Sequence, residues 1–216
     1  MRALELEARY DPDANEFILH SPTLTASKWW NGTMGRTANH AIVMAQLLVP
    51  KASGSKDYVK KGVHSFVVQI RDMKSHKPLK GIAVGDIGPK YGYAPMDNGY
   101  MLFDNHRVPH SAMLARYSQV EPYSGTYSQP ENPVVVYGSL TYVRAQIIMH
   151  ARLIIARAVT IAVRYSSVRR QFSDRDSRHP KAPELAVLDY PTVQIRILPL
   201  LATAFALHYT GEAMHR

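Results

Sequence analysis

The most unusual run of residue types in this chain is Trp29-Trp30-Asn31-Gly32-Thr33-Met34-Gly35. Two indoles followed by two glycines could present a flat aromatic face and closely approachable backbone to a flat ligand. The same residues read equally well as a core Trp pair beside a tight turn. Asn31-Gly32-Thr33 also fits a glycosylation sequon, idle without a secretory signal. A second cluster, Arg164, Arg169, Arg170, Gln171 and Phe172, closes a long apolar-periodic stretch. Arginines there can grip phosphate with two parallel N–H groups, or only offset a helix dipole on a solvated face. His106 and His110 are spaced i, i+4, but Pro109 between them argues against a helix, and no third ligand accompanies them. No metal site is expected. Gly85-Asp86-Ile87-Gly88-Pro89-Lys90 lacks the strand–glycine–helix context of a dinucleotide fold, and Asp86, Asp97 and Asp104 read as turn formers. The chain has no cysteine, which excludes thiolate catalysis, disulfides and Cys-ligated metals.

These residues need elements to position them. The 216 residues, 46% of them hydrophobic, suffice for a buried core. The net charge of +9 admits an anionic ligand. No motif accompanies the charge, and Lys51, Lys56, Lys60 and Lys61 sit in one loop-like stretch, so nucleic-acid binding is not expected. Residues 1–17 lack an apolar signal-peptide core. The best apolar run, Ala145–Val163, contains Arg152 and Arg157, so no membrane span is expected.

The first half alternates short strand-like runs with turns. Ala3–Arg9 alternates apolar and charged residues, Asp11–Asn15 is a turn, and Glu16–His20 is its partner strand. Leu24–Trp30, Ala41–Val49, Val63–Ile70 and Tyr100–Val108 are further strands, His40–Ala45 being read as strand rather than helix. Such a run suggests a sandwich or barrel. Glu121–Pro133 reads as an exposed connector.

The second half is helical. Leu140, Val143, Ile147, Ala151, Ile154, Ala158, Ile161, Tyr165, Val168 and Phe172 make one stripe at spacings of three and four. With no Pro or Gly from Ser139 to Phe172, a single helix of about 50 Å is expected at 1.5 Å per residue. Arg178–Pro183 breaks the pattern. A second helix follows, with Asp189 near its cap, Pro191 in its first turn, and Pro199 inside it and expected to kink it. Two helices cannot close a bundle, so their stripes call for further helices.

Several strings together carry a family resemblance. They include Tyr10-Asp11-Pro12, Lys28-Trp29-Trp30, Gly35-Arg36-Thr37-Ala38-Asn39-His40-Ala41, Gly85–Gly92, Asp97-Asn98-Gly99-Tyr100, Asp104–Pro109, Arg164-Tyr165-Ser166 and Pro199–Ala204. In order, and over nearly the whole chain, they resemble the peroxisomal acyl-CoA oxidases, the branch of the acyl-CoA dehydrogenase superfamily that reoxidises FAD with O₂. The resemblance implies an α+β fold: a middle β-barrel domain followed by the first helices of a C-terminal helical domain. It implies a flavin- and acyl-CoA-binding barrel domain at 1–125, a connector at 126–133 and the start of the helical domain at 134–216.

It also implies the cofactor FAD and the substrates fatty acyl-CoA and O₂, giving trans-2-enoyl-CoA and hydrogen peroxide, in a peroxisomal homodimer. Trp30 and Gly32 match the segment that packs on the flavin and its ribityl region. Asn31 stands where the family commonly has proline. Arg169, Gln171 and Phe172 match the Arg-x-x-Phe pattern of the first C-terminal helix, which reaches the FAD pyrophosphate and adenosine across a dimer. Arg144 is assigned to the acyl-CoA side. The family's catalytic glutamate segment, its Thr-Glu-x-Gly-His-Gly strand and its peroxisomal targeting tripeptide have no match here. No catalytic residue is therefore expected in this chain, and the chain alone is expected to be inactive, as an internal fragment. The alternatives are a non-catalytic dimerisation or nucleotide-binding fragment, and an acyl-CoA dehydrogenase.

Overall fold

The computed structural model describes residues 3–52, 54–132, 138–177, 179 and 181–214. The chain divides into two compact units, Met1–Val136 and Tyr137–Arg216.

The first unit is all β. Strands β1 (Glu7–Asp11), β2 (Glu16–His20), β3 (Lys28–Asn31), β4 (His40–Pro50), β5 (Tyr58–Gln69), β6 (Ile82–Asp86), β7 (Gly99–Phe103), β8 (His106–Pro109), β9 (Gln119–Val120) and β10 (Tyr127–Ser128) follow in chain order. They form a five-stranded sheet in the order β5-β4-β1-β2-β8, a three-stranded sheet β3-β7-β6 and the β9–β10 ribbon. Among the described residues only β1 and β4 run parallel, and every other pair is antiparallel. Among the described residues the sheets stay open, without closing into one barrel.

The alternation that marks a half-buried strand sets the register. Tyr10 pairs with Phe17 and Ala8 with Leu19, so all four side chains share the buried face. Phe17 packs edge-on against Phe66 at 5.1 Å and tilted against Tyr10 at 5.2 Å. Val43, Leu47, Val68, Ile70, Met101 and Phe103 complete one core drawn from both larger sheets. The Tyr10 hydroxyl donates to Asn15 Oδ1 and accepts from the Tyr123 N–H, so its burial leaves no polar atom orphaned.

Several sequence expectations need correction. Leu24–Ala26 is a 3-10 turn rather than strand; Thr23 and Thr25 both donate to Glu5 Oε2, which favours a local fold over a ladder. Tyr100–Val108 is two strands, because Asn105 takes a left-handed φ of 48° at the turn between β7 and β8. The first strand starts at Glu7, not Ala3, and Lys60 and Lys61 lie inside β5 rather than in a loop. Strand β6 was not anticipated.

The second unit holds α1 (Gly138–Val168) and α2 (Pro191–Met214). Pro191 opens α2, and the Tyr190 carbonyl accepts from the N–H groups of Val193 and Gln194. The helices approach closely at Gly211, where a Cβ would lie 3.2 Å from Met149 Cα. Arg152 donates from Nη1 to His208 Nδ1 at 2.7 Å, which leaves the Nε2 hydrogen of His208 facing Glu212 at 3.4 Å. The long helix ends at Val168, four residues before the expected Phe172. The apolar stripe is uncovered: Ile154, for one, is 69% exposed. The Leu140 side chain, Pro133, Arg178 and Pro180 lie outside the described residues. Thr141–Val168 is long and apolar enough to cross a membrane by length and composition, which the sequence reading did not expect; Arg144, Arg152, Arg157 and Arg164 recur along it, at a cost in hydrocarbon.

Candidate functional site

The Trp-Trp-Asn-Gly segment lies where β3 ends. The β3–β7 register slips between Trp29 and Asn31, which pair with Tyr100 and Gly99, so Trp30 is the extra residue of a bulge. Its φ is 76°, a left-handed value costly for a side chain this large. The strain is held from outside the strand: Asn98 Nδ2 donates to the Trp30 carbonyl at 2.6 Å. The bulge turns the Trp30 ring outward, 48% exposed, while Trp29 stacks on Tyr100 with centroids 6.5 Å apart. The reading of a Trp pair in the core is therefore set aside.

The turn that follows is pinned by side chains far away in sequence. Arg71, only 4% exposed, donates to the carbonyls of Met34, Gly35 and Ala38 at 2.6–2.9 Å. Among the described residues no carboxylate takes part, and backbone carbonyl dipoles hold the guanidinium. Asp97 Oδ2 accepts from the Arg36 N–H, the Thr37 N–H and the Thr37 hydroxyl, and these bonds, the Thr37 N–H foremost, hold its carboxyl below the usual carboxylate range. The Asp97 carbonyl accepts from the Gly35 N–H. A Cβ at Gly35 would sit 2.8 Å from that carbonyl and 2.9 Å from Asp86 Cα, so only glycine fits. At Gly32 a Cβ would meet Met96 Sδ at 3.2 Å.

Two cavities flank the turn. One of about 400 Å³ is lined by Lys28, Asn31, Gly32, Met34, His40 and Met101 among others. The other, of about 540 Å³, is lined by Arg36, Asp86, Lys90, Met96 and Asp97 among others. Lys28 donates to the Met44 carbonyl at 2.7 Å, and burial pushes its amine down to about 8. None of the described residues lining the first cavity is Asp or Glu. This wall can hold a flat ligand and hydrogen-bond it, but it brings no carboxylate base.

In the helical unit, Arg169, Gln171 and Phe172 lie beyond the helix end, on an irregular strand-like clip. Gln171 N donates to Leu185 O, Leu185 N to Phe172 O and Val187 N to Arg169 O, and the Tyr190 hydroxyl donates to Gln171 O. Phe172 has a left-handed φ of 59°. The backbone is thus fixed while the three side chains are exposed, and those of Arg169 and Gln171 make no hydrogen bond among the described residues. Arg144 is exposed on the second turn of α1.

The two histidines spaced i, i+4 do not converge on a site. His106 Nδ1 bonds the Lys80 carbonyl, and His110 Nε2 bonds the Val120 carbonyl with its ring stacked on Phe17. No three metal-ligating side chains cluster among the described residues. Sequence reasoning missed Arg71 and the use of Asn98. The Asp97-Asn98-Gly99 turn-former run hinted at the latter, but nothing local signals a guanidinium reaching back more than 30 residues.

Residues 137–216 match the family described as acyl-CoA oxidase, C-alpha1 domain. Over 214 residues the chain is 49% identical to peroxisomal acyl-coenzyme A oxidase 1 of Rattus norvegicus, covering 99% of this chain and 31% of that protein. The Homo sapiens counterpart is 48% identical with the same coverage. Acyl-CoA oxidase 1 of Arabidopsis thaliana superposes with a TM-score of 0.86 at 43% identity, over 99% of this chain and 31% of that one. Acyl-CoA oxidase-2 of Caenorhabditis elegans, solved bound with FAD, ascaroside-CoA and ATP, gives 0.87 at 44% identity, over 99% and 30%. The chain spans about a third of the length of the curated relatives it matches.

Proposed function

We propose that the chain is a part of an acyl-CoA oxidase, and that it forms part of the FAD-binding wall of a peroxisomal fatty acyl-CoA oxidase. The domain division proposed with it is a flavin-binding β domain over 1–125, a connector over 126–133 and the start of a helical domain over 134–216.

The observation that carries this reading is the Trp30 bulge. A strained backbone, an outward indole, the small Gly32 and an adjoining cavity suit the flat face and ribityl chain of a flavin. Arg169 and Gln171 offer unengaged donors on a fixed backbone, which suits the pyrophosphate and adenosine of FAD, with Phe172 beside them. Arg144 is assigned, on family likeness, to the acyl-CoA side. Bound FAD would accept the Cβ hydride, which carries both electrons of an acyl Cα–Cβ oxidation, and pass those electrons to O₂, so that acyl-CoA and O₂ become trans-2-enoyl-CoA and hydrogen peroxide. The residues of this chain bind and orient. The carboxylate that abstracts the α-proton is assigned to none of them, and turnover is assigned to the longer protein, as a homodimer. Peroxide release by that protein separates an oxidase from a dehydrogenase.

The test is titration of the purified chain with FAD, followed by flavin absorbance and co-elution on gel filtration. Perturbed flavin bands that co-elute, and are lost in Trp30→Ala and Arg169→Ala, support the reading; free flavin with every variant overturns it for this chain. Arg169→Ala should change unfolding stability by no more than about 0.5 kcal/mol, since its side chain is exposed.

A second reading is an association module without flavin. The exposed stripe of Val143, Ile147, Ile154 and Ile161 favours it. Dimerisation of the chain in the absence of bound flavin would support it.

A further inference from the structure

Three successive residues of one loop grip the Trp30 turn. Asn98 holds the Trp30 carbonyl, Asp97 caps Gly35, Arg36 and Thr37, and Met96 covers Gly32. The first two act through hydrogen bonds. Met96 acts through an apolar contact made by its sulfur, which sits where a Cβ at Gly32 would be crowded at 3.2 Å. The residue is nonetheless 39% exposed and lines the cavity of about 540 Å³. It is fastened at its own backbone: Met96 N donates to Tyr93 O, and Lys90 Nζ donates to Met96 O. When the sulfur changes chemically, the main chain therefore cannot easily drift away from the turn.

The other methionines near the turn differ. Met34 and Met101 are buried in the core, and Met44, half-buried in the other cavity, has its sulfur accepting from the Ser65 hydroxyl. Met73 is more open, at 61% exposure, but stands in a separate turn beside Asp72 and Lys74. Met96 alone among these combines reach from solvent with contact on the turn.

We propose that Met96 is a peroxide-reactive modification site, whose oxidation to the sulfoxide loosens the Gly32 turn and shifts Trp30. A sulfur lone pair attacks one oxygen of hydrogen peroxide, the O–O bond breaks, an S–O bond forms, and the other oxygen leaves as water after proton transfer. The sulfur loses two electrons and the peroxide gains them. The product is a polar, bulkier group where an apolar contact stood, and it must turn toward solvent or crowd Gly32. The proposal deepens the oxidase reading in one respect: that reading names hydrogen peroxide as a product formed beside this turn. The chemistry at Met96 itself needs only the peroxide.

The test uses the 216-residue chain with added hydrogen peroxide, without flavin or acyl-CoA. Peptide mass spectrometry follows each methionine, and fluorescence follows Trp29 and Trp30, which are the only tryptophans. Met96 should gain one oxygen within about threefold of the rate of Met73, and about tenfold or more faster than Met34 and Met101. The emission change should track Met96, persist in Met73→Leu, vanish in Met96→Leu, and reverse with methionine sulfoxide reductase. Reversal in Met73→Leu, in step with loss of the added oxygen from Met96 by mass spectrometry, decides the point even if Met96→Leu does not fold. Oxidation of Met96 as slow as that of Met34, or a fully oxidised Met96 with unchanged emission, overturns the proposal. Failure of flavin binding leaves this result standing, and failure here leaves the flavin titration standing.

Discussion

The two units use their apolar residues in opposite ways. The β unit turns Tyr10, Phe17, Phe66 and Phe103 into one fully buried core, because sheet faces cover one another over broad areas. The helical unit buries mainly small residues along one seam, Ala145, Val159, Ala204 and Gly211, and leaves Ile147, Ile154, Ile161, Ile195 and Phe205 exposed. Two cylinders touch along a line, so a helix pair cannot cover a stripe that runs round its outer side. The difference teaches that a strongly periodic apolar pattern guarantees a helix but not a self-sufficient core.

That contrast breaks most easily at its core residues. Phe66→Ala should cost about 3–5 kcal/mol in denaturant unfolding, from lost burial and the cavity left behind. Ile154→Ala should cost about 1 kcal/mol or less, since its side chain meets solvent already. Comparable losses for the two would mean that the stripe is covered in solution.

A second comparison concerns two arginines, Arg71 buried and Arg152 half-buried. Arg71→Met leaves the carbonyls of Met34, Gly35 and Ala38 without their donor, and should destabilise the β unit by about 2–4 kcal/mol in urea, read by Trp fluorescence. Arg152→Met in the helical unit removes one hydrogen bond, to His208, and should cost about 1 kcal/mol by far-UV circular dichroism.

A further difference between the units is a pH slope confined to the β unit. The Lys28 amine falls to about 8 in the folded chain from an ordinary 10.5. Between these values the unfolded chain keeps a proton that the folded chain has released, so unfolding free energy rises with pH across that window. Lys28→Met should flatten that rise, in chemical unfolding from pH 7.5 to 10.5. An unchanged slope would show that the ammonium stays hydrated.

Much of the fold was legible. The Asp11–Asn15 hairpin, the strand at His40–Ala45 and the helix opening at Pro191 follow from local alternation, turn chemistry and proline's fixed φ. What failed was local in appearance and long-range in cause. Leu24–Ala26 looked like strand, but Glu5 holds its flanking threonines; Arg169–Phe172 looked helical, but the chain from Leu185 to Val187 captures that backbone. Trp30 and Gly32 stood out by type, as did Arg169, although whether the indole faced inward or outward was undecided.

By itself the sequence determined the likeness to acyl-CoA oxidases, the order of strands before helices and the short-range turns, since these depend on residue type and on short spacings. The tertiary structure alone decided which way Trp30 points, what pins its turn and which sulfur lies against Gly32. The reason is physical. Asn98, Arg71 and Met96 act on the turn across 33–68 residues of chain, and only folding brings such partners within hydrogen-bonding or van der Waals reach.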